Sequence, residues 1–365
     1  MGLTCEGLGG PLDERTFLSG TIADWRARTA APDLVAPPGV LWSPGAAARV
    51  RKLDGGDLRA VPEMTLLGPI AALTGAPVWL GRLRDPGGTV QERLDRAAAA
   101  EERRFDAGER ALPGMELPTG PFRVADGWVV PVGHWTQLLW ANLLALGPYL
   151  WSELVGTGIV APFRLGWAVV RAGSVQPEDV AARLNRLGPG ARIHRTATVE
   201  GCVLGARARV GAGAVVRGAV LGDDAVVEEL ALVEGSVLGA GARVQRLAMA
   251  KFSVIEAGAA FAGIMQLGVV GRGATVKHGA ILMDMAFGQA VRVRVGAELR
   301  TAPHGLCGVC VGDFAVLASG VRVAPGRAIP PGLEILGDPA QVLTRLDLPA
   351  GCGRATARDG RLEPV

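Results

Sequence analysis

From Ile193 onward, aliphatic residues recur close to every sixth position: Ile193, Val199, Leu204, Val210, Val216, Leu221, Val226, Leu232, Leu238 and Val244. Neither the helical period of about 3.6 residues nor the simple alternation of a half-buried strand explains that spacing. Small residues follow many of these positions, as in Leu204-Gly205, Val210-Gly211, Leu221-Gly222 and Leu238-Gly239. Short parallel β-helix repeats produce this pattern. Each hexad supplies one short strand and one corner; the aliphatic side chain points into a triangular bore, and the small residue lets the backbone turn. Three hexads make a coil of about 18 residues, so residues 189–343 are expected to hold about eight coils, with small corner irregularities where the spacing slips by one. The expected architecture is mainly β: a left-handed parallel β-helix of hexapeptide repeats, preceded by a mixed α/β N-terminal region with a helical linker.

The composition suits such a solenoid. Of 365 residues 53 are Gly, and only 5% are aromatic, which fits many tight corners and small side chains. The net charge of +3 comes from arginines that alternate with Asp and Glu. With no basic stripe and no interleaved aromatics, nucleic acid is not an expected partner. The cysteines, Cys5, Cys202, Cys307, Cys310 and Cys352, are odd in number and scattered, so no disulfide framework is expected. Met1 to Gly20 lacks a basic start followed by an apolar core, and the expectation is a cytoplasmic protein without a signal peptide. The most apolar stretch, Leu138 to Val170, carries Glu153 and Arg164 and is broken by Pro148 and Pro162. That pattern predicts a buried helical hairpin and no transmembrane segment.

Four regions follow. Residues 1–126 read as irregular or mixed α/β, with a helix over 89–112. Residues 127–188 form a strand and helical linker: a strand over 127–132, a helix over 134–154 that His134 caps or packs against, and a short helix over 176–187 beginning at Pro177. The β-helix occupies 189–343, closing near Val321 to Gly326 and leaving through Gly337-Asp338-Pro339-Ala340; residues 344–365 form a C-terminal tail.

Ser253 to Gly288 resembles the acetyltransferase half of the bifunctional N-acetylglucosamine-1-phosphate uridylyltransferase/glucosamine-1-phosphate acetyltransferases. Val220 to Val244 looks like the β-helix tail of sugar-1-phosphate nucleotidyltransferases, and His134 to Asn142 is similar to the segment linking their two domains. The resemblance places the chain among hexapeptide-repeat transferases. It implies CoA-dependent acyl transfer to a sugar or nucleotide sugar, with acetyl-CoA or another acyl-CoA as donor. It also implies a homotrimer with donor sites in the grooves between subunits. Flat aliphatic outer faces, such as Val215-Val216 and Val226-Val227, fit that packing.

The departures from the family matter as much. Gly7-Leu8-Gly9-Gly10 lacks a preceding apolar strand and runs into Pro11-Leu12-Asp13-Glu14, so the Gly-rich phosphate cradle of the nucleotidyltransferases is missing. Nucleotidyl transfer therefore requires a divergent N-terminal domain. The family's catalytic His aligns with Gly263. A catalytically inactive relative, binding a nucleotide sugar or acting as a scaffold, is the main alternative.

Acyl transfer needs a base to take the acceptor's proton, a task suited to imidazole. The candidate is His278, in the corner Val276-Lys277-His278-Gly279, with Asp284 one hexad later as its orienting group. His304, Cys307 and Cys310 form an H-x-x-C-x-x-C run, but no second pair is near in sequence, and three-residue steps along a β-helix point side chains in different directions. No metal is expected there. Asp223-Asp224 and Glu228-Glu229 read as a solvated face, and Met283, Met285 and Phe287 as apolar filling between subunits.

Overall fold

The computed structural model describes residues 3–64, 67–117, 120–343, 354–359 and 361–364. Cys352 and the first ten residues of the expected tail, 344–353, lie outside the described residues.

Three parallel sheets form a β-solenoid. The first runs from Arg186–Leu187 to Ala328–Ile329 with eight strands, the second from Arg192–Ile193 to Glu334–Ile335 with eight, and the third from Thr198–Glu200 to Arg322–Val323 with seven. Each strand pairs with the strand one coil on, as Val203 with Val220 and Val220 with Val237. Contacts between successive coils accordingly link residues 17 apart. The missing residue is lost at the turn from the third sheet into the first, where Val199 to Leu204 and Val216 to Leu221 step by five.

The ladders correct one reading of the period. Val227 and Val233, not Val226 and Leu232, fill the bore; Val227 pairs with Val210 and Val244 and is fully buried. Both members of each pair are aliphatic, so spacing alone does not choose between them. For the same reason the outer aliphatic faces are thinner than the doublets suggest, since Val216 and Val227 point inward and only Val215 and Val226 remain outside, half-buried.

Gly188, Gly205, Gly222 and Gly239 each follow a bore residue at the corner between the first and second sheets. A Cβ on Gly222 would stand 2.7 Å from the backbone nitrogen of Ala240 on the next coil. Gly222→Ala is therefore expected to force the coils apart and cost about 1–3 kcal/mol. Urea unfolding of the variant checks this, and an unchanged midpoint would contradict it. In the next coil this row is interrupted by Glu256.

The outer face of the first sheet is not free. Its outward residues Val203, Val220, Val237, Val254, Val269 and Cys310 are buried beneath the chain's own N-terminal region. The helix Trp135–Leu154 lies in that layer, with every residue from Trp135 to Leu146 buried. Such all-round burial explains a helix without a polar face. As expected, His134 caps it, its side chain accepting from the Thr136 amide. The side chain of Asn142 ties the helix to the N-terminal arm through the Leu18 amide and the Thr16 carbonyl.

The N-terminal region also holds a four-stranded sheet, ordered Leu34–Val35, Leu80–Arg82, Leu58–Glu63 and Glu101–Asp106. The helix expected over 89–112 is Val90–Ala99, capped by Thr89 and Glu92. It stops there because Glu101–Asp106 pairs in parallel with Leu58–Glu63 and buries Phe105. Local propensity lost to sheet pairing. The helix expected over 176–187 is limited to Pro177–Ala181, since Arg186–Leu187 is already the first solenoid strand. An excursion that the hexad pattern does not signal follows Ile281–Leu282. Its hairpin, Arg292–Val295 with Glu298–Thr301, returns to the N-terminal region, where His134 Nε2 bonds the Arg294 carbonyl and Arg300 donates to the Leu73 carbonyl. Among the described residues no helix is long and apolar enough to cross a membrane.

Candidate functional site

The corner between the second and third sheets is a stacked ridge. The Leu230 amide donates to the Ala212 carbonyl at 3.0 Å, and the Leu247 amide to the Glu229 carbonyl at 3.3 Å. Leu230 and Leu247 take the left-handed conformation, with φ of 60° and 62°, and both are exposed. The ridge then breaks. Between Val244 and Ala250 the chain uses a full corner, but Ala262 and Gly263 alone carry it from Phe261 to Ile264. Contacts across this short coil link residues 15 apart.

The tight corner accounts for Gly263. A Cβ there would stand 2.6 Å from the Ala280 carbonyl oxygen, so position 263 cannot hold an imidazole without moving the backbone. The following coil restores the corner with Lys277, His278 and Gly279, and the ridge resumes as the Gly320 amide donates to the His278 carbonyl at 3.2 Å. Two corner residues are thus missing between Leu247 and His278, leaving a notch beside an exposed imidazole. Outward-facing Met249, Ile264 and Ile281, successive rungs of the third sheet, flank it.

Asp284 lies beyond the strand Ile281–Leu282, half-buried, with its carboxyl pushed above the usual range by burial. No hydrogen bond or ion pair joins it to His278 among the described residues. The two candidates sit at opposite ends of one strand.

The other singular residues are absorbed into the fold. His304 is buried with its ring edge-to-face on Trp140 at 4.8 Å. Cys307 and Cys310 are buried, and burial pushes both thiols far up. Cys310 Sγ donates to the Gly7 carbonyl. Among the described residues no group of three or more His, Cys, Asp or Glu is placed to hold a metal ion. Asp224, Glu228 and Glu229 pair with Arg207, Arg243 and Arg246 across neighbouring coils. Met283, Met285 and Phe287 are exposed where the chain leaves the solenoid.

Sequence reasoning missed a buried charge cluster. Arg15, fully shielded, donates to Glu256 at 2.9 Å and grips Asp313 with both terminal nitrogens at 2.7 and 2.8 Å. Arg272 adds a second cation on Asp313 and also meets Glu14. Burial pushes the Glu256 carboxyl up to about 7, against the opposing pull of Arg15 and the Thr16 amide. The interruption of the glycine row by Glu256 was the available signal. Arg15, Glu256 and Asp313 are closed to solvent, while Arg272 and Glu14 lie at the cluster's open edge, and together they clamp the N-terminal arm onto the solenoid.

No protein-family model matches the chain, and no curated protein matches it. Among solved structures it is similar to the acetyltransferase domain of PglB from Neisseria gonorrhoeae in complex with acetyl coenzyme A. That match has 19% identity, covers 68% of this chain and 100% of that one, and has a TM-score of 0.22. A variant of perosamine N-acetyltransferase from Caulobacter crescentus, in complex with CoA and GDP-perosamine, matches at 17% identity over 68% of this chain and 98% of that one, with a TM-score of 0.16. The UDP-N-acetylglucosamine acyltransferase of Francisella novicida matches at 14% identity over 41% and 64%, with a TM-score of 0.14.

Proposed function

We propose that this chain is an acyltransferase that moves an acyl group from acyl-CoA to an amine or hydroxyl of a sugar or nucleotide sugar, with His278 as general base. The observation that carries the reading is the notch: an otherwise continuous corner ridge lacks two residues beside an exposed imidazole. In the proposed reaction the acceptor attacks the thioester carbonyl, His278 takes the acceptor's proton, and the CoA thiolate leaves. Asp284 is the site's candidate carboxylate, but without a bond to His278 it is secondary.

A homotrimer is part of the proposal. The first sheet is covered by the chain's own N-terminal region, so subunit contact falls to the third sheet. Its outward row of Val215, Leu232, Met249, Ile264 and Ile281 is apolar. The neighbouring row satisfies its own charges, Arg217 with Glu200 and Lys251 with Glu234. Packing on the apolar row sets the notch at a subunit junction, with Met283, Met285 and Phe287 nearby. A cytoplasmic setting fits the free, buried thiols of Cys5, Cys202, Cys307 and Cys310.

The test is thiol release from acetyl-CoA in the presence of amino sugars and nucleotide amino sugars, together with melting curves with and without CoA. Turnover with CoA protection supports the reading. If neither appears, the enzyme reading fails and the inactive, sugar-binding or scaffold relative stands, a reading favoured by the absence of room for a side chain at Gly263.

A further inference from the structure

The helix Val160–Ala172 is apolar on two opposite faces. It rests on its neighbours through Ala161, Leu165, Ala168 and Ala172, which are buried or half-buried. On the other side Ile159, Phe163, Trp167 and Val170 are exposed by 82%, 78%, 64% and 70%. Their spacing of four, four and three residues sets them on one stripe. A helix facing only water carries polar groups there.

A seam of positive charge runs beside the stripe. Arg164 and Arg171, seven residues apart on the helix, line one side of a cleft of about 720 Å³, and Arg183 and Arg186 line the other. Only Arg186 has a carboxylate, that of Glu153; Arg164, Arg171 and Arg183 meet none among the described residues. On the solenoid Arg207, Arg217, Arg243 and Arg246 each meet a carboxylate on the adjacent coil, whereas Arg192, Arg195 and Arg209, which do not line this cleft, meet none among the described residues. What sets the cleft apart is that three arginines without a carboxylate gather in it next to exposed Phe163 and Trp167.

We propose that this helix docks the protein on a bilayer containing anionic phospholipid. The stripe enters the boundary between headgroups and acyl chains, and the cleft arginines receive lipid phosphates, for which the guanidinium fork is well shaped. A second copy fits less well. A twofold contact matches the face with itself, bringing two arginine seams together without carboxylates to meet them. The inference is independent of the acyl-transfer reading, because it uses neither the notch nor His278.

The experiment is flotation of the full chain with vesicles of phosphatidylcholine alone, or with about one-quarter phosphatidylglycerol. Binding is expected to the anionic vesicles only and to weaken with salt. Phe163→Glu with Trp167→Glu is expected to lower partitioning about tenfold or more, as is Arg164→Glu with Arg171→Glu. Neither pair should lower the melting temperature, since these side chains are exposed. Failure to bind anionic vesicles, equal binding to neutral ones, or double variants that bind like the original chain would overturn the proposal. So would a self-associated species in light scattering that Phe163→Glu with Trp167→Glu dissociates, with no vesicle binding; that result assigns the face to a second copy.

Discussion

Replacing Arg15 by Met is expected to destabilise the protein by about 3–5 kcal/mol, the range for breaking a buried ion pair from one side. The cost comes from what remains. Glu256 and Asp313 stay shielded from water, and Asp313 keeps only Arg272. The arm that Arg15 anchors also loses its hold on the corner between the first and second sheets, where Gly239 lies close enough that a Cβ would meet Thr16 Oγ1 at 2.6 Å. The pH dependence has a definite sign. Because the folded pKa of Glu256 is raised, the fold binds a proton that the unfolded chain releases. This contribution is complete below the ordinary carboxylate range and is lost as pH rises through about 7. The melting temperature should therefore fall between pH of about 5 and about 8, more steeply in Arg15→Met and less steeply in Glu256→Gln. Adding Glu256→Gln and Asp313→Asn to Arg15→Met should recover part of the loss, because the buried charges go with the cation. Urea unfolding across that pH range measures all of this. A loss under about 1 kcal/mol, or no change in slope, would show that the cluster is not a clamp.

Much of the solenoid was legible because its bore residues announce themselves one strand at a time. The limits were equally physical. Where two neighbours are both aliphatic, as at Val226 and Val227, period does not decide which faces in; the parallel ladder does. The notch was written in the chain as a four-residue step from Phe261 to Met265, shorter than any earlier step between bore residues, yet it acquires meaning only once the ridge on either side is seen. Composition extends the helix over 89–112 beyond its true end at Ala99 because Glu101–Asp106 is held by a partner, Leu58–Glu63, that no local signal marks. Arg15 was invisible for a related reason: its partners lie 241 and 298 residues away. His278 could be singled out from its corner motif, but the absence of a bond to Asp284 depends on the strand between them.

If the notch is the active site, His278→Ala should lower kcat about a hundred- to ten-thousand-fold, the usual contribution of a positioned general base. The KM for acyl-CoA and the melting shift with CoA should change little, because a base acts on the acceptor's proton and not on donor affinity. The exposure of His278 separates chemistry from folding, so the variant should melt as the original chain does. A variant that leaves the imidazole untouched makes the test sharper. Inserting Ser-Gly between Ala262 and Gly263 restores the corner length used by the preceding coil, which runs from Gln245 through Arg246 and Leu247 to Ala248. The ridge then closes over the notch beside His278. Activity should fall by at least the same factor, with the solenoid retained in circular dichroism. If the insertion folds and remains fully active, the notch is not where the acceptor sits, however severe the effect of His278→Ala. If His278→Ala alone is silent while turnover is real, the base lies elsewhere, and Asp284, with its carboxyl raised by burial, is the next residue to replace.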